Sequence, residues 1–430
     1  MKKLICELEG NMANSFERNK NYLNELQKRA DEQETPLLSS NFDVSQKIVK
    51  TPRTTDEFIK KRWEFMGYEK PPEALYNDYD KSLIESYGKN IEYGIGTIKV
   101  PVGVAGPLRI SGIHAKGDYM IPLATTEAAL VASYHRGATL ITKAGGATSV
   151  LIEEAVSRSP GFAFNTILEA GTFISWITQQ YQKFVELAST TTRHGKLIDM
   201  KIQMEGNHVY VILEYTTGDA SGQNMVTIAT NAIYQYINQN SVVPIKFSFL
   251  EANFSGDKKA SAMSFLSVRG KKVTAEVNLS KELIKNVLST TPEMMMNYWS
   301  MSALGGVMSG TMGVQGHYAN GLAALYIATG QDAACVAESA VGITRFDINE
   351  DGGLYASVTL PNIMVGSVGG GTGLSSQRAC LDMLGLAGNG KARALAEVVG
   401  GVCLAGELSI IGALCANHFA NAHQQLARGK

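Results

Sequence analysis

The sequence has almost no net charge, few prolines and few cysteines. Its 39 basic and 40 acidic residues leave a formal charge of −1, which argues against a broad electrostatic surface for nucleic acid. The five cysteines are odd in number and include no CxxC pair, so a reducing, cytoplasmic compartment fits better than a disulfide framework. With 11 prolines and 45% hydrophobic residues the chain is not disordered, and its 430 residues are enough for two or three domains.

Several common catalytic and targeting signatures are also missing. No Walker A, HExxH or GxSxG motif occurs, and no group of cysteines and histidines has the spacing of metal ligands. His418 and His423 are five residues apart and would not share a helical face, so no metal site is expected. Two glutamates interrupt the N-terminal apolar stretch too early for a signal peptide. The apolar segment 398–419 contains Glu407 and several glycines, which predicts a buried helix rather than a membrane span.

Glycine, by contrast, is abundant, with 43 residues, and it marks the stretch 100–136. The first part of this stretch is apolar and rich in Gly and Pro, which favours a tight backbone loop. Thr125 and Thr126 then offer hydroxyl caps for a helix, with Glu127 in its first turn before the apolar run 128–132. A lone acid in such surroundings is either a partner of the helix dipole or a working carboxyl with a raised pKa. The stretch alone favours the helix-dipole partner.

The segment 150–250 alternates between strand-like and helix-like patterns in the order β-α-β-β-α-β. This is the order of a split βαβ, or ferredoxin-like, unit, and it interrupts the surrounding sequence like an insertion. Glu205-Gly206-Asn207 supplies the hairpin turn between the two central strands. The predicted strands are 150–156, 196–204, 208–215 and 242–250, and the predicted helices are 165–187 and 222–236.

The sequence on either side of this segment is mainly helical. Residues 1–50 are polar and predict a loose helical arm, and amphipathic helices are predicted at 54–67 and 73–87. Residues 294–336 are so rich in small side chains that they predict a buried core of closely packed helices. The other predictions are two strands around Arg269-Gly270 within 265–277, a helix from Ser280, a strand at 356–365 followed by a helix, and a final helix or helix pair from 392 to about 428.

These patterns predict an α+β fold in three parts. A helical N-terminal region would cover residues 1–93. A large α/β-type domain, built around a long central helix, would combine 94–158 with 254–430. The ferredoxin-like domain would be inserted between these two segments and would cover 159–253.

Two glycine-rich turns could hold a phosphate group. The loop 366–373 lies between a strand and a helix, as in a Rossmann turn, but Arg393 stands where that fold places an acid for the ribose, about 20 residues later. A Rossmann site is therefore not expected, although the loop amides and Thr372 could still hold a phosphate or ribose. The turn 218–225 leads into a helix whose amides could bind a diphosphate, or it is an ordinary turn capped by Asp219.

Three further candidates are single polar residues with a plain structural alternative. Lys258, within Asp257-Lys258-Lys259, would usually be a solvated surface residue. Asp332 lies among small apolar residues and, if buried, needs a partner such as a lysine. His423, close to the end of the chain, would usually be exposed. Together with Glu127 these residues could move protons and stabilise an oxyanion, but sequence spacing does not show that they converge.

Six motifs and a C-terminal segment occur in the order of a known family. They are PVGVAGPL at 101–108, ATTEAALVAS at 124–133, GDASGQNM at 218–225, DKKASA at 257–262, GQDAA at 330–334, VGGGTGL at 368–374, and AGELS at 405–409 with His423. Over about 80–430 the sequence therefore resembles 3-hydroxy-3-methylglutaryl-coenzyme A (HMG-CoA) reductase. The DKKA and GQDAA forms look like the class typical of eukaryotes and archaea (class I), without the membrane anchor of the animal enzymes.

The resemblance implies a four-electron reduction of the HMG-CoA thioester to mevalonate and free coenzyme A, with NADPH as reductant, in the mevalonate route to isoprenoids. It implies that Lys258 stabilises the carbonyl oxygen as that oxygen gains charge. Glu127, with a raised pKa, would give the oxygen a proton or a hydrogen bond. Asp332 would pair with Lys258 and Glu127, and His423 would protonate the departing thiolate.

The resemblance also implies where the ligands bind. The inserted domain would be the cofactor domain, without a Rossmann fold, and the charge of Arg193 would favour NADPH over NADH. The implied cofactor-binding residues are Ser133, Arg136, Thr192, Arg193, Asp219, Asn224 and Thr372, and the implied substrate-binding residues are Arg158, which would grip the carboxylate, Asn253, Asp257 and Lys259.

Four departures from the family pattern concern substrate affinity rather than reaction type. Glu251 replaces a small hydroxyl residue, His135 an asparagine and Gln223 a methionine, and a lysine expected near Ser289 is missing. The resemblance further implies a protein that does not bind membranes and forms a homodimer or homotetramer with active sites between subunits. Two alternatives are the same enzyme run oxidatively with NAD, and a non-catalytic relative that binds acyl-CoA.

Overall fold

The computed structural model describes residues 51–416 and a few positions between 20 and 32. The described residues form two compact units, 51–84 with 91–96, and 85–90 with 97–416. The described positions between 20 and 31 are helical, and the rest of the predicted N-terminal arm lies outside the described residues. The end of the predicted final helix lies outside them as well.

The smaller unit is built on short helices. α1 (Asp56–Phe65) is capped by the hydroxyl of Thr55, and α2 (Asp78–Tyr87) follows it along the chain. Both predicted amphipathic helices are therefore present, each shorter than predicted. Arg62 of α1 is buried and donates to three backbone carbonyls of the same unit, those of Thr51, Arg53 and Gly94.

The predicted loop at the start of the stretch 100–136 is instead an antiparallel hairpin. β1 (Val102–Gly112) pairs with β2 (Lys116–Ala124) along most of its length. The register shifts between Ala105 and Leu108, where a Gly-Pro pair forms a bulge, so glycine and proline do not end the strand. The loop prediction was wrong because it gave those two residues more weight than the alternating apolar ones.

The helix after this hairpin, α3 (Leu130–Lys143), begins later than predicted. Ala129 precedes it with a φ of 69°, in the left-handed region. The Thr125 hydroxyl accepts from the N–H of Glu127 at 3.0 Å, which closes a local turn instead of capping the helix. Glu127 therefore precedes the helix, and its predicted place in the first helical turn is wrong.

A ten-stranded sheet runs through the described part of the larger unit. Strand β3 (Ala147–Arg158) is central, because its first part pairs with β8 (Gly270–Leu279) and its last residues pair with β6 (His208–Thr216). Along the main path the strand order is β7-β4-β6-β3-β8-β10-β9. The remaining strands of this path are β4 (Gly161–Ala163), β7 (Phe247–Phe249), β9 (Ile343–Ile348) and β10 (Leu354–Ile363). Strand β5 (Lys196–Glu205) lies off the path and pairs with β6.

Residues 161–249 follow the predicted order of strands and helices. Their strands pair in antiparallel fashion, with β6 between β5 and β4 and with β4 also paired with β7. The structure differs from the prediction at two places. The predicted helix 165–187 is two helices, and the predicted strand 242–250 is only three residues long. The helices of this segment are α4 (Ile167–Thr178), α5 (Tyr181–Thr191) and α6 (Gln223–Asn240).

The predicted pair of strands at 265–277 is a single strand, β8, preceded by a short 3₁₀ helix (Ala262–Phe265). The N–H of Arg269 donates to a side chain rather than to a neighbouring strand, so no strand forms before Gly270. α7 (Lys281–Leu288) then follows β8, as predicted.

The segment 294–336, which is rich in small residues, is only partly buried. α9 (Tyr318–Thr329) is a core helix, and most of its residues are buried. α8 (Pro292–Ser309) instead exposes an apolar face, on which Leu304 is 65% and Met308 is 88% exposed. The prediction of a buried core was wrong for α8, because small residues permit close packing without indicating which surface packs against them.

The longest described helix, α12 (Ala392–Cys415), is buried against α3 and the sheet. It is long and apolar enough to cross a membrane, but 83% of its most apolar 18-residue window is buried inside the protein. Its two glutamates, Glu397 and Glu407, are fully buried and accept hydrogen bonds from backbone N–H groups of other segments. These are features of the predicted core helix. Two shorter helices, α10 (Val336–Ser339) and α11 (Ser375–Met383), precede it.

Candidate active site

Lys258 and Asp332 form an ion pair, with 2.9 Å between Nζ and Oδ2. The hydrogen bond to Asp332 raises the pKa of Lys258 above its ordinary value, so the lysine keeps its proton. Partial burial acts to raise the pKa of Asp332, but hydrogen bonds from Lys258 and from the Ala334 N–H outweigh it and lower that pKa. The structure thus brings together two residues from distant segments whose pairing the family resemblance implied.

The backbone of Lys258 is strained. Its φ of 56° lies in the left-handed region, which costs a residue other than glycine on the order of 1–3 kcal/mol. Gly256 has a φ of 71° and accepts from the N–H of Lys259 at 3.1 Å, which closes a tight turn around Lys258. The Lys259 ammonium group folds onto this turn and donates to the Asp257 carbonyl at 2.9 Å. Strained residues persist where their surroundings fix them, and such residues are common at functional sites.

Asp257, next to Lys258, is held by two arginines. Its Oδ2 accepts from Nη1 of Arg158 at 2.8 Å, and its Oδ1 accepts from Nη2 of Arg269 at 2.6 Å. Arg269 also donates to Glu338 at 2.5 Å, and both of these side chains are almost completely buried. Four charges of alternating sign therefore connect the core to the turn of Lys258. We call Glu338, Arg269, Asp257 and Arg158 the charge chain.

Glu251, where the sequence departs from the family pattern, organises the start of this loop. One of its carboxylate oxygens accepts from the Asn253 N–H at 2.8 Å and from the Ser255 hydroxyl at 3.1 Å, and the other accepts from the Ser159 N–H at 3.1 Å. Asn253 has a φ of 66°, also in the left-handed region. Glu251 lies 4.0 Å from Nη1 of Arg158, so its charge opposes the attraction of that arginine for a substrate carboxylate.

The glycine loop 366–373 is held beside the GQDAA segment. The side chain of Gln331 clamps it through two hydrogen bonds with the backbone of Gly366, one donated at 3.0 Å and one accepted at 2.8 Å. A side chain at Gly330 would collide with the loop backbone, so only glycine permits this approach. The Thr372 hydroxyl donates to a carbonyl within the loop at 2.6 Å.

The turn 218–225 packs against the same loop. The carbonyl oxygen of Asp219 accepts from two N–H groups of the glycine loop, at 2.8 and 3.3 Å. The carboxylate of Asp219 accepts from two N–H groups at the start of α12, at 2.7 and 3.1 Å. Asp219 is therefore a cap, but for α12 rather than for the helix that follows it. That helix, α6, begins after Gly222 with no side-chain cap, which leaves its first amides able to bind an anion.

The remaining candidates for cofactor binding surround the start of α6. Asn224 lies in its first turn and Arg193 lies in the turn after α5, and both residues are exposed. Thr192 joins the two turns, because its hydroxyl contacts the Met225 sulfur at 2.9 Å and accepts from the Gly195 N–H at 3.3 Å. An exposed arginine beside uncapped helix amides suits the phosphate groups of NADPH, so these residues fit that cofactor.

Glu127, Ser133 and Arg136 line a separate cavity of about 480 Å³. Burial lowers the pKa of Arg136 below its usual value. Its guanidinium donates to the hydroxyl and the carbonyl of Ser409, at 3.0 and 2.8 Å, and the hydroxyls of Ser133 and Ser409 are 2.9 Å apart. α12 therefore positions one wall of the cavity that contains Glu127.

The opposite wall of this cavity comes from the start of α9. Asn320 donates to the Glu127 carboxylate at 3.3 Å, and His317 lines the same space. Glu407 holds this segment, because its carboxylate accepts from the N–H of His317 at 2.8 Å. The His317 ring stacks on Tyr134, with 5.3 Å between the ring centroids. Buried groups thus fix the direction in which Asn320 meets Glu127.

Within one chain, Glu127 does not meet Lys258 or Asp332. No hydrogen bond or ion pair joins them in the described part of the chain, and neither of those two residues lines the Glu127 cavity. Glu127 is exposed, although apolar residues line much of its cavity. His423 lies outside the described residues. The three described residues that the resemblance implies for catalysis therefore form two separate groups in one chain.

Sequence reasoning missed the residues that support both groups. Arg269 was assigned to a strand turn, and Glu338, Gln331, His317 and Asn320 were not singled out. Glu338 offered the best signal, because it is an acid in an otherwise small and apolar segment, and a buried acid needs a cationic partner. No group of three or more metal-ligating side chains occurs among the described residues.

The site combines a protonated lysine on a strained turn, its aspartate partner and neighbouring loops with uncapped amides. This combination suits the class of enzymes that stabilise negative charge on a substrate oxygen. Residues 58–428 match the family model described as hydroxymethylglutaryl-coenzyme A reductase, and the chain belongs to this family. The family expected from the sequence is therefore confirmed.

Relatives named 3-hydroxy-3-methylglutaryl-coenzyme A reductase support the same conclusion. The chain is 42% identical to the protein of Methanothermobacter thermautotrophicus, over 82% of this chain and 89% of the relative. It is 44% identical to the protein of Methanocaldococcus jannaschii, over 79% of this chain and 85% of the relative. It is 40% identical to reductase 2 of Dictyostelium discoideum, over 80% of this chain and 66% of the relative.

Solved structures show the same fold. A class II reductase from Streptococcus pneumoniae bound to NADPH superposes with a TM-score of 0.63, over 79% of this chain and 83% of that chain, at 20% sequence identity. A second structure of the Streptococcus pneumoniae reductase gives a TM-score of 0.62, over 82% and 96%, also at 20% identity. The predicted α+β fold is therefore confirmed.

Proposed function

We propose that this chain catalyses the NADPH-dependent reduction of HMG-CoA to mevalonate and free coenzyme A. Family membership and relatives of the same name at 42 and 44% identity support this activity. In the structure, the Lys258–Asp332 ion pair supports it most directly. In the balanced reaction, one thioester, two NADPH and two protons give one alcohol, one thiol and two NADP⁺.

Lys258 acts on the carbonyl oxygen of the substrate. Its ammonium group donates to that oxygen and stabilises the negative charge that develops there, first at the thioester and then at the aldehyde. Asp332 keeps Lys258 protonated, because their hydrogen bond raises the pKa of the lysine. The tight turn at Gly256 fixes the direction of the Lys258 side chain before substrate binds.

The substrate carboxylate and the departing thiolate need further residues. Arg158 binds the carboxylate, with Asn253, Asp257 and Lys259 around it, and Glu251 reduces its net attraction. Glu127 supplies a proton to the substrate oxygen, and His423 protonates the coenzyme A thiolate so that it does not attack the aldehyde again.

NADPH, which supplies hydride when bound, is held by the segment 159–253. Arg193 and Thr192 bind its 2′-phosphate, and the uncapped amides at the start of α6, with Asn224, bind its diphosphate. The loops of Asp219 and Thr372 form the side of the site that faces Asp332. Ser133 and Arg136, in the Glu127 cavity of a second chain, complete the site. Residues 159–253 are thus the proposed cofactor domain, between the two parts of the substrate domain.

The active enzyme is a homodimer or homotetramer of cytoplasmic subunits, with each site built between two chains. The separation of Glu127 from Lys258 within one chain supports this arrangement, because a second copy would supply the missing partner. The exposed apolar face of α8 supports it as well, because such a face on a folded chain is typical of a protein contact. The burial of α12 inside the fold supports a protein that is recovered without detergent.

The test of the proposed activity is the consumption of NADPH by purified protein with HMG-CoA, followed by absorbance. Lys258→Ala should lower kcat by about 10²–10³-fold while the folded structure is kept, because the main oxyanion donor is lost. Lys281→Ala is the matched control, since Lys281 is an exposed lysine that pairs with Glu293 at 3.4 Å. Undiminished turnover by the Lys258 variant would overturn the assignment.

A further inference from the structure

We propose that Arg269 and Glu338 are positioning residues that hold Asp257, and through it the strained turn of Lys258, in the geometry needed for reduction. The inference rests on the proposed role of Lys258 as the oxyanion donor. Neither residue contacts substrate, because Arg269 is 3% exposed and Glu338 is 0% exposed. Any effect they have on catalysis must therefore pass through neighbouring side chains, and Asp257 is the one that Arg269 holds directly.

Arg269 is fixed at three points. Nη1 donates to Glu338 at 2.5 Å, Nη2 donates to Asp257 at 2.6 Å, and the backbone N–H donates to the Asn362 side chain at 3.0 Å. The guanidinium group is planar and its donors are rigidly spaced, so the position of one acid constrains the position of the other. Glu338, anchored in the core, thereby sets where Asp257 lies.

Asp257 transmits this constraint to its neighbour. One carboxylate oxygen is bound by Arg269 and the other by Arg158, so the side chain cannot rotate without breaking an ion pair. The carbonyl of Asp257 accepts from the Lys259 ammonium group at 2.9 Å. The peptide that leads into Lys258 is thus held from both sides, and the φ of 56° at Lys258 is kept by these contacts.

The charge chain is poorly explained by stability alone. Buried ion pairs contribute little net stability, because removing the charges from water offsets their attraction, and apolar residues of similar size often do as well. The charge chain also leaves two polar atoms without hydrogen bonds. Nε of Arg269 and Oε1 of Glu338 are buried and have no hydrogen-bond partner among the described residues. An arrangement of this kind that ends beside the proposed catalytic lysine indicates a role in geometry.

The test variant is Arg269→Lys, which keeps the positive charge but lacks the planar, rigidly spaced donors that fix the two acids relative to each other. It should lower kcat by about 10–10²-fold, since small displacements of a reacting group have effects of that size. The KM for NADPH should change by less than about twofold, because the cofactor contacts are not altered. The alkaline limb of the kcat–pH profile should move to lower pH, because a displaced turn weakens the hydrogen bond to Asp332 that raises the pKa of Lys258 and, to a smaller extent, the attraction of Asp257.

A second variant keeps the test decisive if the first does not fold. Glu338→Gln removes the anchoring charge and leaves the bond between Arg269 and Asp257. It should lower kcat by about three- to tenfold. Glu338→Asp, which keeps the negative charge, should lose less activity than Glu338→Gln. Unchanged kcat and an unchanged pH profile in this variant would also overturn the inference.

The control for a merely structural effect is Arg62→Lys. Arg62 is likewise buried but donates to backbone carbonyls of the smaller unit. This variant should lower the Tm and leave kcat and the pH profile as they are. If Arg269→Lys behaves in the same way while Lys258→Ala is inactive, the positioning role is wrong and the role of Lys258 stands. If Lys258→Ala is active, the proposed role of Lys258 fails first.

Discussion

At the scale of single residues, the site depends on an ion pair whose partners set each other's charge. The hydrogen bond to Asp332 raises the pKa of Lys258, and the same bond helps to lower the pKa of Asp332 against the effect of burial. Both groups are therefore charged over a wide range of pH. A lysine that must stay protonated while it faces a developing oxyanion benefits from a fixed anionic partner.

Replacing Asp332 should therefore change the pH dependence of the enzyme. Asp332→Asn weakens the hydrogen bond and removes the charge that raise the pKa of Lys258, so this pKa should fall. Lys258 would then lose its proton at lower pH, and the alkaline limb of the kcat–pH profile should move toward neutral pH. We also expect kcat near pH 7 to fall by about 10²-fold. An alkaline limb that stays in place would show that another group sets it.

The residues of the site differ in how far sequence could predict them. A lysine partner for Asp332 could be predicted, but from the premise that Asp332 is buried, whereas its side chain is 40% exposed. Arg269 could not be placed, because its partner Glu338 is 69 residues away and no local pattern joins them. The sequence placed Glu127 inside a helix, but the structure leaves this residue exposed, because it lies in the turn before α3.

At the scale of elements, the site is carried by the contact between α3 and α12. Gly137 of α3 faces the backbone of Ala405 in α12, and a side chain at Gly137 would collide with that carbonyl group. The close approach lets Arg136, next to Gly137, reach Ser409 and line the Glu127 cavity. Small residues at this crossing thus determine the shape of the cavity wall.

Gly137→Ala should destabilise the protein by about 1–3 kcal/mol, because a well-packed contact has no room for the added methyl group. Gly171→Ala is the matched control, since Gly171 also lies within a helix, α4, but has no atom near the added methyl group. The control should be more stable than the unmodified protein by roughly 0.5–1 kcal/mol. Urea unfolding measures both values, and equal effects of the two substitutions would contradict this account of the contact.

The elements also differ in how well sequence could predict them. Helices with an apolar face, such as α1, and the buried α12 were predicted from periodicity and length. The hairpin of β1 and β2 was missed because a bulge can hold a Gly-Pro pair within a strand. The exposed face of α8 was missed because composition does not show whether a partner lies within the same chain.

At the scale of the whole molecule, one chain holds Glu127 and Lys258 in separate places. α8 adds an apolar face that the described part of the chain leaves exposed. Both observations have a common explanation if the active protein contains two copies in a symmetric contact, because each copy then contributes one group to the site of the other. The arrangement makes activity depend on which chain carries which substitution.

Subunit complementation tests this dependence. Glu127→Gln and Lys258→Ala should each be nearly inactive alone, because every site then lacks one essential group. Co-expressed with different tags and purified through both, they should form mixed dimers in which one of the two sites combines an intact Glu127 with an intact Lys258 from the other chain. Such dimers should recover up to about half of the unmodified activity, as two-fold symmetry requires. Two differently tagged copies of the Glu127 variant, purified in the same way, should stay inactive. If the sites lie within single chains, the mixed protein should be as inactive as its parents, because each chain then lacks a group that its partner cannot supply.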